Sequence, residues 1–149
     1  MIMVTGRMHM RPVFVFIGYV MKYFTVEEAN ALLPVLEPLM ESLLNKRANI
    51  SRQAQQMRSL PTGNLLGDYR SNVGSAELSA LTQHFAAIEQ MMDQIQAYGV
   101  VLKDINAGLL DFLSERNGRD VYLCWRYGEN QIEYYHELHT GFSGRQLIE

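Results

Sequence analysis

The sequence has a single cysteine, Cys124, among 149 residues, so no intrachain disulfide can form and the fold must rest on its core. It also lacks a surplus of cations. Thirteen Lys+Arg stand against sixteen Asp+Glu, a net charge of -3, whereas a protein dedicated to nucleic acid needs clustered cations to neutralise phosphates. Arg47, Arg52 and Arg58 along one helix are too few for that role. No run of about 20 apolar residues is present, which argues against a membrane-spanning helix. Internal repeats, low-complexity tracts and blocks of like charge are missing as well. What is present is a 48% hydrophobic composition, enough for one core in a chain of this size, where folding buries roughly 70% of the unfolded surface. The expectation is a small cytoplasmic protein with neither nucleic acid nor membrane as a partner.

The opening stretch sets Arg7 and Arg11 before an apolar run from Val13 to Val20, a pattern superficially like a signal peptide. Tyr19, Met21, Lys22 and Tyr23 occupy the zone where small residues would mark cleavage, so that reading fits poorly. Folded-domain signals begin right after Met21. Residues 1–21 are therefore expected to be a non-native or disordered extension, and 22–149 a single α+β domain.

Thr25 followed by Glu28 forms a capping box, which starts a helix at about residue 26 and runs it to about 60. Pro34 and Pro38 lie one turn apart within it and predict a kink, because each removes a backbone donor and crowds the preceding turn. Ala29, Leu33, Leu36, Met40, Leu43, Arg47, Ile50, Ala54 and Met57 follow the spacings of three and four that mark a packing seam. Leu60-Pro61, Gly63, Gly67 and Gly74 bracket a loop of about fifteen residues. A second helix, about 75–98, carries Leu78, Leu81, Phe85, Ile88, Met92 and Ile95 and stops at Gly99. Two chain-adjacent helices of similar length predict an antiparallel hairpin.

Beyond Gly99 the period becomes alternating. Asn117-Gly118 predicts a two-residue type I′ turn, and the register it fixes sets Asp111 opposite Cys124, Phe112 opposite Leu123 and Leu110 opposite Trp125. Strands at about 108–114, 119–127 and 131–138 then form a three-stranded antiparallel meander, with Leu110, Phe112, Val121, Leu123 and Trp125 covering the helices. Asp111, Cys124 and Arg126 share the other face. The face taken by His136 depends on the turn near Gly128-Glu129-Asn130: a two-residue loop puts His136 with the apolar set and Glu137 and His139 with Cys124, and a three-residue loop reverses them.

The polar groups that suit chemistry gather in this C-terminal third. Cys124, Glu137 and His139 are candidate ligands for a divalent metal, and Cys124, Glu137 and His136 are candidate catalytic groups, with Arg126 supplying a field that would favour a thiolate. Set against this, Cys124 reads as a small sheet residue and His136 as a hydrogen-bonded histidine at the edge of the core. Gly141 and Gly144, with Arg126 and Arg145, suit a small anion held by loop amides and guanidinium forks; the competing reading is a clamp in which Arg145 pairs with Glu129 or Glu137. Ser143 sits in that loop without a nucleophile-elbow pattern. Asp104, Asp111 and Glu137 are a further carboxylate set for magnesium or calcium, although the spacing fits no calcium loop and such acidic groups commonly cap turns.

The stretch Tyr23-Phe24-Thr25-Val26-Glu27-Glu28-Ala29-Asn30-Ala31-Leu32-Leu33-Pro34, the segments Gly99-Val100-Val101-Leu102-Lys103-Asp104 and Gly108-Leu109-Leu110-Asp111-Phe112, and the motifs Val121-Tyr122-Leu123-Cys124-Trp125-Arg126, Gly128-Glu129, Tyr135-His136-Glu137 and Gly141-Phe142-Ser143-Gly144-Arg145 resemble a prokaryotic family known only as domain of unknown function 2203. The likeness runs from Lys22 to Ile148 and implies no substrate, cofactor or catalytic residue. From the residues alone, a non-enzymatic interaction module is the first expectation, one that associates with itself or a protein partner through exposed helix or strand surface. The alternative is an enzyme binding a small anion or divalent metal on the C-terminal sheet and its glycine-rich loop.

Overall fold

A computed structural model describes residues 14–16, 19–58 and 73–149. Two short strands, β1 (Phe14–Phe16) and β2 (Tyr19–Met21), pair antiparallel. Most of the segment expected as an extension, and the loop expected at about 60–74 up to residue 72, lie outside the described residues. Helix α1 (Val26–Arg58) starts on the capping box: Glu28 N–H donates to Thr25 Oγ1 at 3.1 Å and Thr25 N–H to Glu28 Oε2 at 3.0 Å.

Helix α1 is continuous through Pro34 and Pro38, and no break in it marks the expected kink. Both prolines are exposed. Each leaves one carbonyl of the preceding turn, that of Asn30 and that of Pro34, without its intrahelical donor. The opposite side buries Ala29, Leu33, Leu36, Met40, Leu43 and Ile50, all on the seam read from the spacing.

Helix α2 (Val73–Gln96) packs on α1, and the turn after it closes at Gly99, whose φ is 83° and whose N–H donates back to Gln96 O. Its buried line departs from the expected one. Ile88 and Ile95 are buried and Leu81 and Met92 partly so, but Leu78 and Phe85 are 61% and 56% exposed. The face turned inward is thus rotated from the stripe the spacing predicted.

The sheet has five antiparallel strands rather than three, in the order β3 (Val101–Asp104), β4 (Leu109–Arg116), β5 (Arg119–Arg126), β6 (Tyr134–Glu137) and β7 (Gln146–Leu147). Asn117 and Gly118 both adopt positive φ, 52° and 76°, and the β4–β5 register follows from that turn: Leu110 opposite Trp125, Asp111 opposite Cys124, Phe112 opposite Leu123. Leu110, Phe112, Leu123 and Trp125 join Leu36, Met40, Leu43 and Ile95 in the core between sheet and helices, with Phe24 edge-on to Phe112 at 5.3 Å. The described helices and sheet make an α+β arrangement. Among the described residues no helix is long and apolar enough to cross a membrane.

The connection from β5 to β6 is longer than either loop considered from the sequence. It carries Ile132, which is buried in the core, and Ile132 N–H donates to Asn30 Oδ1 of α1 at 2.8 Å. Strand β6 then pairs so that Tyr122 faces His136 and Cys124 faces Tyr134. This is the parity that the sequence assigned to a three-residue loop, and it puts His136 on the same face as Cys124.

Candidate functional site

Strand β4 is buried on both faces from Leu109 to Ser114, so a carboxylate in its middle must be provided for. Asp111, 1% exposed, lies across from Cys124, also 1% exposed, and His136 on β6 completes the cluster at 1% exposure. One ligand atom from each of the three side chains lies within 4.8 Å of the others. His136 Nε2 stands 3.2 Å from Asp111 Oδ2, while Nδ1 is 2.8 Å from the backbone oxygen of Glu137. A carbonyl oxygen accepts only, so Nδ1 carries a proton and Nε2 is the atom turned to the carboxylate. Asp111 Oδ1 is buried with no hydrogen-bond partner.

Burial and then the Asp111 carboxylate push the Cys124 thiol up to about 12, with the Arg145 guanidinium pulling the other way. Left to itself, Cys124 is a neutral thiol rather than the activated nucleophile that Arg126 was expected to favour. Burial, followed by the charges of Asp111 and Asp120, also raises the phenol of neighbouring Tyr122, whose ring lies 5.7 Å from that of His136.

Arg145 lies over this part of the sheet. Its guanidinium stacks 4.1 Å from the Tyr134 ring, the cross-strand neighbour of Cys124, and 4.6 Å from the Phe142 ring. Nη2 donates to both oxygens of Glu129, at 2.8 and 2.9 Å, and Nε is buried without a partner. Glu129 in turn accepts from Arg126 N–H at 2.8 Å and, through its carbonyl, from Trp125 Nε1 at 2.8 Å. That is the clamp weighed against an anion cradle. The loop amides are engaged as well: Gly144 N–H bonds Gly141 O at 2.8 Å and Arg145 N–H bonds Phe142 O at 3.3 Å, closing a 3-10 turn over Phe142–Gly144. Arg126 is exposed, its guanidinium 5.6 Å from the Phe142 ring. Gly144 is required for packing, since a Cβ there would come within 2.6 Å of Thr140 Cβ, whereas Gly141 meets nothing within 4 Å.

The structure brings Cys124 and His136 together and adds Asp111. It does not bring in Glu137 or His139. Glu137 pairs with Val121, so its side chain leaves the sheet on the face opposite His136, and His139 is exposed in the turn after β6. The role of Glu137 is through its main chain, whose oxygen accepts from His136 Nδ1 and from the Thr140 hydroxyl at 3.1 Å. Asp104 caps a turn, accepting from the N–H groups of Asn106 and Ala107. From the sequence, Asp111 falls beside Cys124 but groups as a ligand with Asp104 and Glu137; the signal passed over is the place of this aspartate inside the apolar run Leu109-Leu110-Asp111-Phe112-Leu113, which buries it with Cys124.

No curated protein and no solved structure matches the chain. A family model described as an uncharacterized conserved protein, DUF2203, matches residues 22–148 and so takes in both helices, the five-stranded sheet and all three members of the buried cluster. The chain belongs to the DUF2203 family.

Proposed function

We propose that the protein binds a divalent transition-metal ion, zinc in the first place, through Asp111, Cys124 and His136, and that this site is its functional centre. The observation that carries the reading is the convergence of a carboxylate, a thiol and an imidazole from three adjacent strands, all buried and with ligand atoms within 4.8 Å. Atoms bound to one tetrahedral zinc stand roughly 3.5 Å apart, a distance the cluster reaches with small side-chain shifts. Nitrogen and sulfur donors select zinc or ferrous iron over magnesium and calcium, which take oxygen ligands. The hydrogen bond from His136 Nδ1 to Glu137 O supports metal binding by fixing the ring and leaving Nε2 for the ion. Three protein ligands leave a fourth position open, the arrangement of catalytic rather than structural zinc.

The test is native mass spectrometry with elemental analysis on untagged protein supplied with micromolar zinc. One ion per chain is expected, lost in Cys124→Ser and in His136→Ala. A chain that takes up no ion overturns the reading.

A second reading, self-association of the chain, is favoured by the exposure of Leu78 and Phe85 on α2. Sedimentation equilibrium should then show a species heavier than the monomer at high micromolar concentration, and a strict monomer sinks it.

A further inference from the structure

Two buried side-chain polar atoms lack a hydrogen-bond partner among the described residues, Asp111 Oδ1 and Arg145 Nε. They have opposite characters, since one accepts and the other donates. They also belong to one neighbourhood: Asp111 lies across from Cys124, Cys124 across from Tyr134, and the Arg145 guanidinium on the Tyr134 ring at 4.1 Å. An unmet acceptor calls for a cation or a donor, and an unmet donor calls for an acceptor, so a metal ion alone answers only half of this site.

We infer that the metal at Asp111, Cys124 and His136 is joined by a small monocarboxylate that takes its open coordination position and accepts a hydrogen bond from Arg145 Nε. The inference rests on the metal-binding reading and names the class of ligand the site takes. Charge selects the monoanion. A divalent ion bound by one carboxylate and one thiolate is neutral, and Arg145 is balanced by Glu129 at 2.8 Å. Little net field remains to hold a dianion such as hydrogen phosphate, whereas a carboxylate gains a metal bond and a charge-assisted hydrogen bond. Arg145 is held for this task by the Tyr134 and Phe142 rings, which fix the guanidinium plane, and by Glu129, which engages Nη2 and leaves Nε free.

The experiment uses cobalt(II) in place of zinc, because the thiolate-to-cobalt charge-transfer band reports ligation by Cys124 while the visible d–d bands report whatever occupies the open position. Acetate and inorganic phosphate are titrated separately into the cobalt-loaded protein. Acetate is expected to shift the d–d bands saturably, with phosphate at least tenfold weaker. In Arg145→Gln the charge-transfer band should persist while acetate affinity falls roughly tenfold or more, the loss of one charge-assisted hydrogen bond. Arg145→Lys, which keeps the cation and loses Nε, should show a similar fall and serves where the glutamine variant does not fold. A charge-transfer band with d–d bands indifferent to acetate overturns the inference and leaves metal binding standing. An acetate response that is unchanged in both variants also overturns it, and phosphate binding more tightly than acetate overturns the choice of a monoanion. Absence of the charge-transfer band sinks the metal reading itself.

Discussion

His136 Nε2 meets Asp111 Oδ2 at 3.2 Å in a setting where each side chain is 1% exposed. With Nδ1 committed to the Glu137 carbonyl, the pair holds either an imidazolium facing a carboxylate or a protonated acid facing a neutral ring, and both forms are intolerant of losing one member. In metal-free protein, His136→Ala is expected to cost about 3 kcal/mol, because it leaves a carboxyl group buried without its partner. Urea denaturation with the metal chelated measures this, and a loss well under 1 kcal/mol contradicts it.

Metal affinity should rise with pH. The Cys124 thiol, held up to about 12 by burial and by Asp111, is protonated throughout the neutral range, so an ion that binds its sulfur must displace that proton. Zinc affinity is then expected to climb about tenfold per pH unit for each proton displaced. Competition against a chromogenic chelator at several pH values provides the measurement, and a flat profile is the adverse result.

The same elevation predicts that Cys124 in metal-free, folded protein is inert to iodoacetamide at neutral pH and reacts readily once denatured. For stability, a folded-state value above the ordinary thiol range means the unfolded chain loses its proton first. The contribution is complete below that range and is lost as pH climbs toward about 12. Alkylation rates at equal pH in native and denaturing buffer test the first statement, and alkaline denaturation tests the second.

Gly144→Ala and Gly141→Ala should separate cleanly although they lie three residues apart. The first drives a Cβ to 2.6 Å from Thr140 and is expected to destabilise by about 1–3 kcal/mol while displacing Arg145, whereas the second enters open space and is expected to be nearly silent. Thermal melts of the two variants decide it.

If α2 mediates self-association, replacing Leu78 and Phe85 by Gln should leave the melting temperature within a few degrees of the parent, since both side chains are largely exposed, and should shift sedimentation toward monomer. A large loss of stability would instead place these residues in the core.

The parts of the fold carried by local chemistry were legible in the sequence. Thr25 and Glu28 named the start of α1, and Asn117-Gly118 fixed a register that placed Asp111 across from Cys124. The parts decided at a distance were not. Strand β7 is two residues long and β3 shifts register between Leu102 and Asp104, so neither shows a clear alternation to read. Pro34 and Pro38 predict a kink by their own chemistry, yet the helix continues through both, on its exposed side. The site fell between these cases: Asp111 and Cys124 were placed on one face, but His136 belonged to a strand whose parity hung on an irregular turn. Glu137 and His139 stood in for it in the metal set because one reading of that turn put them beside Cys124.

The bond from Ile132 to Asn30 links positions 102 apart in sequence and fixes where the chain re-enters the sheet as β6. Asp111 and Cys124 are brought face to face by a tight local turn, an event of microseconds in isolated hairpins. His136 is placed instead by a contact of high sequence separation, the crossing that the Ile132–Asn30 bond holds against the first helix. The cluster is therefore held by two unequal kinds of contact, a local turn for Asp111 and Cys124 and a long-range one for His136. A side chain on α1, Asn30, which is no member of the cluster, thus helps anchor the strand that carries the third of its residues.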